Sequence, residues 1–207
     1  MRKKVPNNTI ERLPLYLRVL NDLDAQNVER IASPRIAEIT GRTASQIRQD
    51  LSLFGSFGQQ GYGYTVQNLR DVLADILGAN QAYKVILIGA GHLGTAIMEN
   101  FNFIAQNYIF QGAFDIDPKK IGTTIGGWPV YDGHSASSFI KDNQTDIAIL
   151  TVPREYAQTI ADAMSDDGIR AIWNFTGVDL HCSALVENIL FSDSLLKLTY
   201  KLHERDK

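Results

Sequence analysis

With 207 residues, 44% of them hydrophobic and no apolar run near the roughly 18 residues of a membrane helix, the chain can bury one large core or two modest ones without a membrane partner. The basic start MRKKVPNNT leads into polar residues instead of a secretory apolar run, so a cytoplasmic location is expected; the single cysteine, Cys182, excludes an intrachain disulfide or a cysteine-built zinc site within one subunit. The net charge of −3 is uneven, with ten Lys or Arg against eight Asp or Glu in residues 1–78 and ten against fifteen in 79–207, so any polyanion-compatible surface is expected in the first third.

Thr9 is a candidate cap for a helix carrying Ile10, Leu13, Leu17 and Leu20, with Pro14 near its first turn. Ser33-Pro34 reads as an N-cap with proline at the first helical position, opening a short helix that Thr40-Gly41 stops. Thr43 with Gln46 three residues on is a capping-box pattern, and the helix ASQIRQDLSLF presents Ile47, Leu51 and Phe54 on one face. Two helices joined by so short a glycine-containing turn form a helix-turn-helix. Glycines 55, 58, 61 and 63 then punctuate Phe57, Tyr62 and Tyr64 as in a twisted hairpin, the wing, and a helix with Val66, Leu69, Leu73, Ile76 and Leu77 ends at Gly78.

From Tyr83 short apolar strands (KVILIG, GAFDID, DIAILTVP, IRAIWNF) alternate with helical segments, which predicts a parallel, doubly wound α/β sheet. A last amphipathic stretch from about Ser192 to Leu202 carries Leu195, Leu198 and Leu202 at helical spacing and belongs to no strand, which points to packing on a partner. The expected organisation is a winged-helix DNA-binding domain over 1–78, a Rossmann-like domain over 79–190 and a C-terminal helix over 191–207.

Gly89, Gly91 and Gly94 form G-x-G-x-x-G directly after a predicted strand and at the start of a predicted helix. The first glycine makes the tight turn, the second admits a pyrophosphate, and the third packs helix on strand, so Gly89, Ala90, Gly91, His92, Leu93 and Gly94 are candidate cofactor contacts. Asp115, with Ile116 beside it, closes the next strand, where a carboxylate accepts ribose hydroxyls and repels a 2′-phosphate; this favours NAD over NADP, with Asp117 as a substitute. The competing readings are a glycine-rich turn that only shapes the sheet, or a pocket for another nucleotide such as coenzyme A. Thr151, Val152 and Pro153, and Asn174, Phe175 and Thr176, end two further strands at the same edge, where they either line a nicotinamide or serve as ordinary loop residues. The four histidines lack metal-ligand spacing, so no metal is expected.

Ser45, Gln46, Arg48 and Gln49 lie off the apolar face of the second helix, and Arg and Gln suit guanine and adenine edges. Gln60, Gly61 and Tyr62 sit at the wing tip. A plain solvated helix face is the alternative. An NAD-dependent oxidoreductase is a rival for the whole chain, but the Rossmann part holds no Tyr-x-x-x-Lys pair, no second domain follows it, and no catalytic residue is expected.

The segments IRQDLSLFGSFGQQGYGYTV, VILIGAGHLGTAI, FDIDPKKIG and DIAILTVPREYAQ together resemble the Rex family of redox-sensing repressors, in one order over nearly the whole chain. The resemblance implies a winged-helix domain and a Rossmann domain that binds NADH or NAD+. It implies a homodimer that exchanges C-terminal helices, holds a palindromic operator when NADH is scarce and releases it on binding NADH. By position Phe191 matches the family aromatic brought near the nicotinamide. Family members often carry an acid before that aromatic, paired across the dimer with the arginine matching Arg18; here the position is Leu190, with Asp193 as the nearby acid. Gln49 and Gln60 stand where basic residues are frequent, so weaker phosphate contacts are expected.

Overall fold

The structure is a computed structural model that describes residues 5–55, 58–59 and 62–205, for 58–59 the backbone alone. The chain divides into two compact units, Met1–Gln81 and Ala82–Lys207. The first holds α1 (Asn7–Ile10), α2 (Leu13–Ala25), β1 (Arg30–Ile31), α3 (Ser33–Thr40), α4 (Ala44–Ser52), β2 (Gly58–Gln59), β3 (Gly63–Thr65) and α5 (Val66–Leu77). Leu13, Tyr16 and Leu20 of α2 meet Ile36, Ile47, Leu51, Leu69 and Leu73 from the other helices in one buried cluster. Thr43 caps α4 by accepting from Gln46 N–H at 3.2 Å, and Gly41 and Gly78 close α3 and α5 in the left-handed conformation.

Three local features differ from the sequence expectation. The first helix is broken between Ile10 and Leu13, and Thr9 is no cap: its hydroxyl is buried and donates to Asp50 Oδ1 at 3.2 Å. Ser33 is already the first residue of α3, and its hydroxyl accepts from Arg48 instead of capping. The hairpin gains a third strand, since β1 pairs antiparallel with β3, giving the order β1-β3-β2. Gly63, at φ +71°, permits that pairing, because a Cβ there would sit 2.5 Å from the Ile31 carbonyl oxygen.

The second unit contains β4 (Tyr83–Ile88), α6 (His92–Asn100), β5 (Tyr108–Asp115), β6 (Thr124–Ile125), β7 (Trp128–Asp132), α7 (Ala136–Asn143), β8 (Ile147–Leu150), α8 (Arg154–Asp166), β9 (Ala171–Asn174), β10 (Leu185–Asn188) and α9 (Phe191–Arg205). Its sheet runs β10-β9-β8-β4-β5-β7-β6, parallel throughout except for β6 against β7. Strand order reverses between β4 and β8, which places a topological switch point at their carboxyl ends. Alternate residues of each strand face opposite sides: Ile86 and Ile88 pack on α7 and α8, while Val85 and Leu87 pack with Met98 of α6.

Because α7 and α8 both lie on the Ile86 side and no helix links β9 to β10, the opposite face of β8, β9 and β10 has no connecting helix over it. A groove of about 610 Å³ runs there, lined by Phe101, Tyr108, Ile147, Trp173 and Leu185 among others. Helix α9 buries none of its residues; Phe191, Leu195, Leu198 and Leu202 form an exposed apolar stripe at i, i+4, i+7 and i+11. No helix among the described residues is long and apolar enough to cross a membrane.

Candidate functional site

The turn between β4 and α6 is built so that two glycines serve the fold and one faces outward. Gly89 takes φ +95° and donates to Phe114 O at 2.8 Å; a Cβ there would meet Thr151 O at 2.9 Å. A Cβ on Gly94 would collide with the Gly89 carbonyl oxygen, so helix and turn touch at that point. Gly91 is different: a Cβ on it would meet nothing within 4 Å. No side chain caps α6, so its first-turn N–H groups point into this open approach with the positive end of the helix dipole behind them. His92 is exposed, Leu93 half-buried and Ala90 buried.

Asp115 ends β5, the strand beside β4. Its Oδ1 accepts from the Asp117 N–H at 2.8 Å, and its Oδ2 lies 3.2 Å from Lys120 Nζ. The Asp117 carboxylate accepts from the Lys119 N–H at 3.0 Å, whereas Ile116 is largely exposed. The turn thus presents an open cradle with a carboxylate one strand away, the donor set that fits a pyrophosphate with a ribose diol.

Thr151 donates from Oγ1 to Gly89 O at 2.7 Å and to Ile88 O at 3.1 Å, locking the end of β8 to the glycine turn. Asn174 is buried with every polar atom used: it donates to Val178 O and Asn188 Oδ1, and accepts from the Thr176 N–H and hydroxyl. These side chains shape the rim. Val152, Pro153 and Phe175 sit on it, and Phe175 places its ring 6.4 Å from that of Phe191, which begins α9.

In the first unit Ser45, Arg48 and Gln49 are exposed along α4 and Gln46 is half-buried. Arg48 Nη1 donates to Ser33 Oγ at 3.1 Å, which holds the guanidinium against the start of α3. Tyr62 is 70% exposed; Gln60 and Gly61 lie outside the described residues. The sequence reading missed Asp50, a buried carboxylate on the inner side of α4. It accepts from Arg12 Nε at 2.7 Å, Arg12 Nη2 at 2.6 Å and the Tyr16 hydroxyl at 2.8 Å. The available signal was helical spacing, since Asp50 lies three residues after Ile47 and beside Leu51.

Residues 80–178 match a family model described as a CoA binding domain, and residues 4–52 match one described as "Putative DNA-binding protein N-terminus". The chain is 43% identical over 206 residues to the redox-sensing transcriptional repressor Rex of Caldicellulosiruptor bescii, spanning 99% of this chain and 95% of the relative. It is 45% identical over 199 residues to Rex of Caldanaerobacter subterraneus subsp. tengcongensis, spanning 95% and 89%. Among solved structures it is similar to RSP in complex with β-NAD+ and operator DNA, with a TM-score of 0.91 at 44% identity and coverage of 99% and 95%. RSP in complex with β-NADH matches with a TM-score of 0.88 at 41% identity, covering 98% and 96%, and RSP is described as a Rex-family repressor. Since more than 40% of residues are shared across almost the full length of both chains, this chain belongs to the Rex family of redox-sensing transcriptional repressors.

Proposed function

We propose that this chain acts in the cytoplasm as a homodimeric repressor that holds a palindromic operator when NADH is scarce and releases it on binding NADH. Residues 1–78 read DNA, through Ser45, Gln46, Arg48 and Gln49 of α4 and Gln60, Gly61 and Tyr62 of the wing. Residues 79–190 hold NADH or NAD+, and 191–207 form the helix exchanged between subunits. The observation that carries the reading is the open approach at Gly91, before an uncapped helix N-terminus and beside Asp115. Gly89 to Gly94 would hold the pyrophosphate, Asp115 and Ile116 the adenosine, and Val152, Pro153, Phe175 and Phe191 the nicotinamide end. Thr151, Asn174 and Thr176 fix the backbone around it. The RSP complexes with β-NAD+ and operator DNA and with β-NADH support the same pairing of ligands.

Coenzyme A suits the site less well despite the family-model match. Its ribose carries a phosphate where NAD has a free hydroxyl, and Asp115 would oppose that charge. Helix exchange is supported by two unpartnered surfaces on one chain, the groove over β8, β9 and β10 and the apolar stripe of α9. Electrophoretic shift of an inverted-repeat operator, titrated with NADH, NAD+ and coenzyme A, tests the function. Release by NADH at concentrations where NAD+ leaves the complex intact is expected, and indifference to all three overturns it. Sedimentation of the chain with and without residues 191–207 tests the exchange, with a dimer expected only when they are present.

A further inference from the structure

The carboxylate beside the nucleotide turn is not alone. Asp115 Oδ2 is paired with the Lys120 ammonium at 3.2 Å, and Lys120 is carried on a tightly tied turn: its N–H donates to Asp117 O at 2.9 Å, and its carbonyl oxygen accepts from the Thr123 N–H at 3.0 Å and the Thr123 hydroxyl at 2.6 Å. The lysine side chain is one-third exposed and that of Asp115 is 11% exposed, so the cation lies on the solvent side of the acid. The neighbouring Asp117 carboxylate accepts instead from the Lys119 N–H.

We propose that Lys120 is a second, concealed determinant of cofactor choice: a 2′-phosphate anchor that Asp115 keeps occupied. With the acid present, the pair presents a carboxylate oxygen to a 2′,3′-diol, and a phosphate arriving at the same place meets a negative charge whose cation is already engaged. With the acid replaced by a small neutral group, the ammonium loses its carboxylate partner and keeps three donors beside the end of β5, which suits a dianionic phosphate. On this proposal the exclusion of 2′-phosphorylated dinucleotides rests on the removable charge of Asp115. This inference rests on the dinucleotide reading of the Gly89–Gly94 turn.

Calorimetric titration of the full-length chain with NADH, NADPH, 5′-AMP and 2′,5′-ADP tests it, the two fragments isolating the adenosine end. Asp115→Ser is expected to weaken NADH and to strengthen NADPH and 2′,5′-ADP at least tenfold, with a gain that shrinks as salt is raised. Asp115→Ser with Lys120→Met should lose that gain, and Lys120→Met alone should still bind NADH. Asp115→Asn, nearly isosteric, repeats the test with minimal disturbance of the turn. A wild-type chain that binds neither NADH nor NAD+ defeats the underlying reading. A wild type that binds NADH, with NADPH affinity unmoved by Asp115→Ser and Asp115→Asn or equally raised when Lys120 is absent, overturns the role of Lys120 alone.

Discussion

Asp50, on the inner side of α4, receives both Nε and Nη2 of Arg12, at 2.7 and 2.6 Å, across the core from the start of α2. A buried acid on that helix therefore fixes its orientation through a bidentate contact that apolar packing of Ile47 and Leu51 could not specify. Burial opposes the charge on Asp50, but the hydrogen bonds from Arg12, Tyr16 and Thr9 outweigh it and hold its carboxyl below the usual range. The Tyr16 hydroxyl is pushed up to about 12, by burial first and then by its hydrogen bond to Asp50.

Stability of the winged-helix unit should consequently decline on both sides of neutrality. A carboxyl depressed in the fold stabilises fully above its unfolded value of about 4, and that contribution is lost as pH falls through the lower folded value. A phenol raised in the fold stabilises below its unfolded value of about 10, and that contribution is lost as pH rises through the folded value. Asp50→Asn removes one partner of a buried pair and should cost about 3–5 kcal/mol while flattening the acid limb. Amide exchange of α4 between pH 3 and 7 reads this, and parallel pH profiles for variant and wild type would contradict it.

Arg48 is pre-positioned by Ser33, so its contribution to DNA binding should divide between the guanidinium and its support. Arg48→Ala should cost about 1–3 kcal/mol of operator affinity. Ser33→Ala should cost about 1 kcal/mol or less, since it frees the side chain without removing its charge. Neither should alter NADH affinity. Fluorescence anisotropy on labelled operator measures both, and equal losses from the two variants would mean that Ser33 itself touches DNA.

Much of this was legible in the sequence because the signals were local. The Thr43 cap, the αL glycines at 41 and 78 and the strand-glycine-helix spacing around Gly89 each depend on neighbours within a few residues. What escaped were pairings between distant segments, Arg30 with Thr65 and Thr9 and Arg12 with Asp50, together with the return of Lys120 onto Asp115, only five residues back, which depends on how the turn from Asp117 to Thr123 closes. Thr151 and Asn174 fell between these cases. Their positions at strand ends were readable, but the bonds from Thr151 to Gly89 O and from Asn174 to Asn188 Oδ1 arise only once the strands lie side by side.

Gly91 and Gly94, one facing outward and one packed on the turn, should separate stability from ligand binding. Gly91→Ala places its methyl in open space, at a negative φ that alanine adopts, and should leave thermal stability within about 0.5 kcal/mol while NADH affinity falls sharply. Gly94→Ala drives its methyl into the Gly89 carbonyl oxygen and should destabilise the nucleotide unit with or without ligand. Melting curves with and without NADH distinguish the two. A Gly91→Ala chain that binds NADH as wild type does would remove the pyrophosphate from that position.

Phe191 joins the rim of the nucleotide turn to the unpartnered helix, and on it the coupling between cofactor and DNA is expected to depend. A sensor must bind its effector with different free energies in the DNA-bound and released forms, so tight binding of NADH alone is insufficient. NADH and NAD+ differ only at the nicotinamide, which is neutral in one and charged in the other. Phe175 and Phe191, with ring centroids 6.4 Å apart, offer an apolar aromatic setting that favours the neutral ring, because an uncompensated charge is costly to bury there. Phe191→Ala should therefore weaken NADH more than NAD+ and keep the variant on operator DNA at NADH concentrations that release the wild type. Leu190, directly before it, carries no charge, so this coupling should change little between low and high salt once the salt dependence of DNA binding itself is subtracted. NADH-driven release measured at two salt concentrations, with separate titrations of both cofactors, decides the matter. A variant that releases DNA as readily as wild type and still distinguishes NADH from NAD+ would assign α9 to dimerisation alone and place the switch elsewhere.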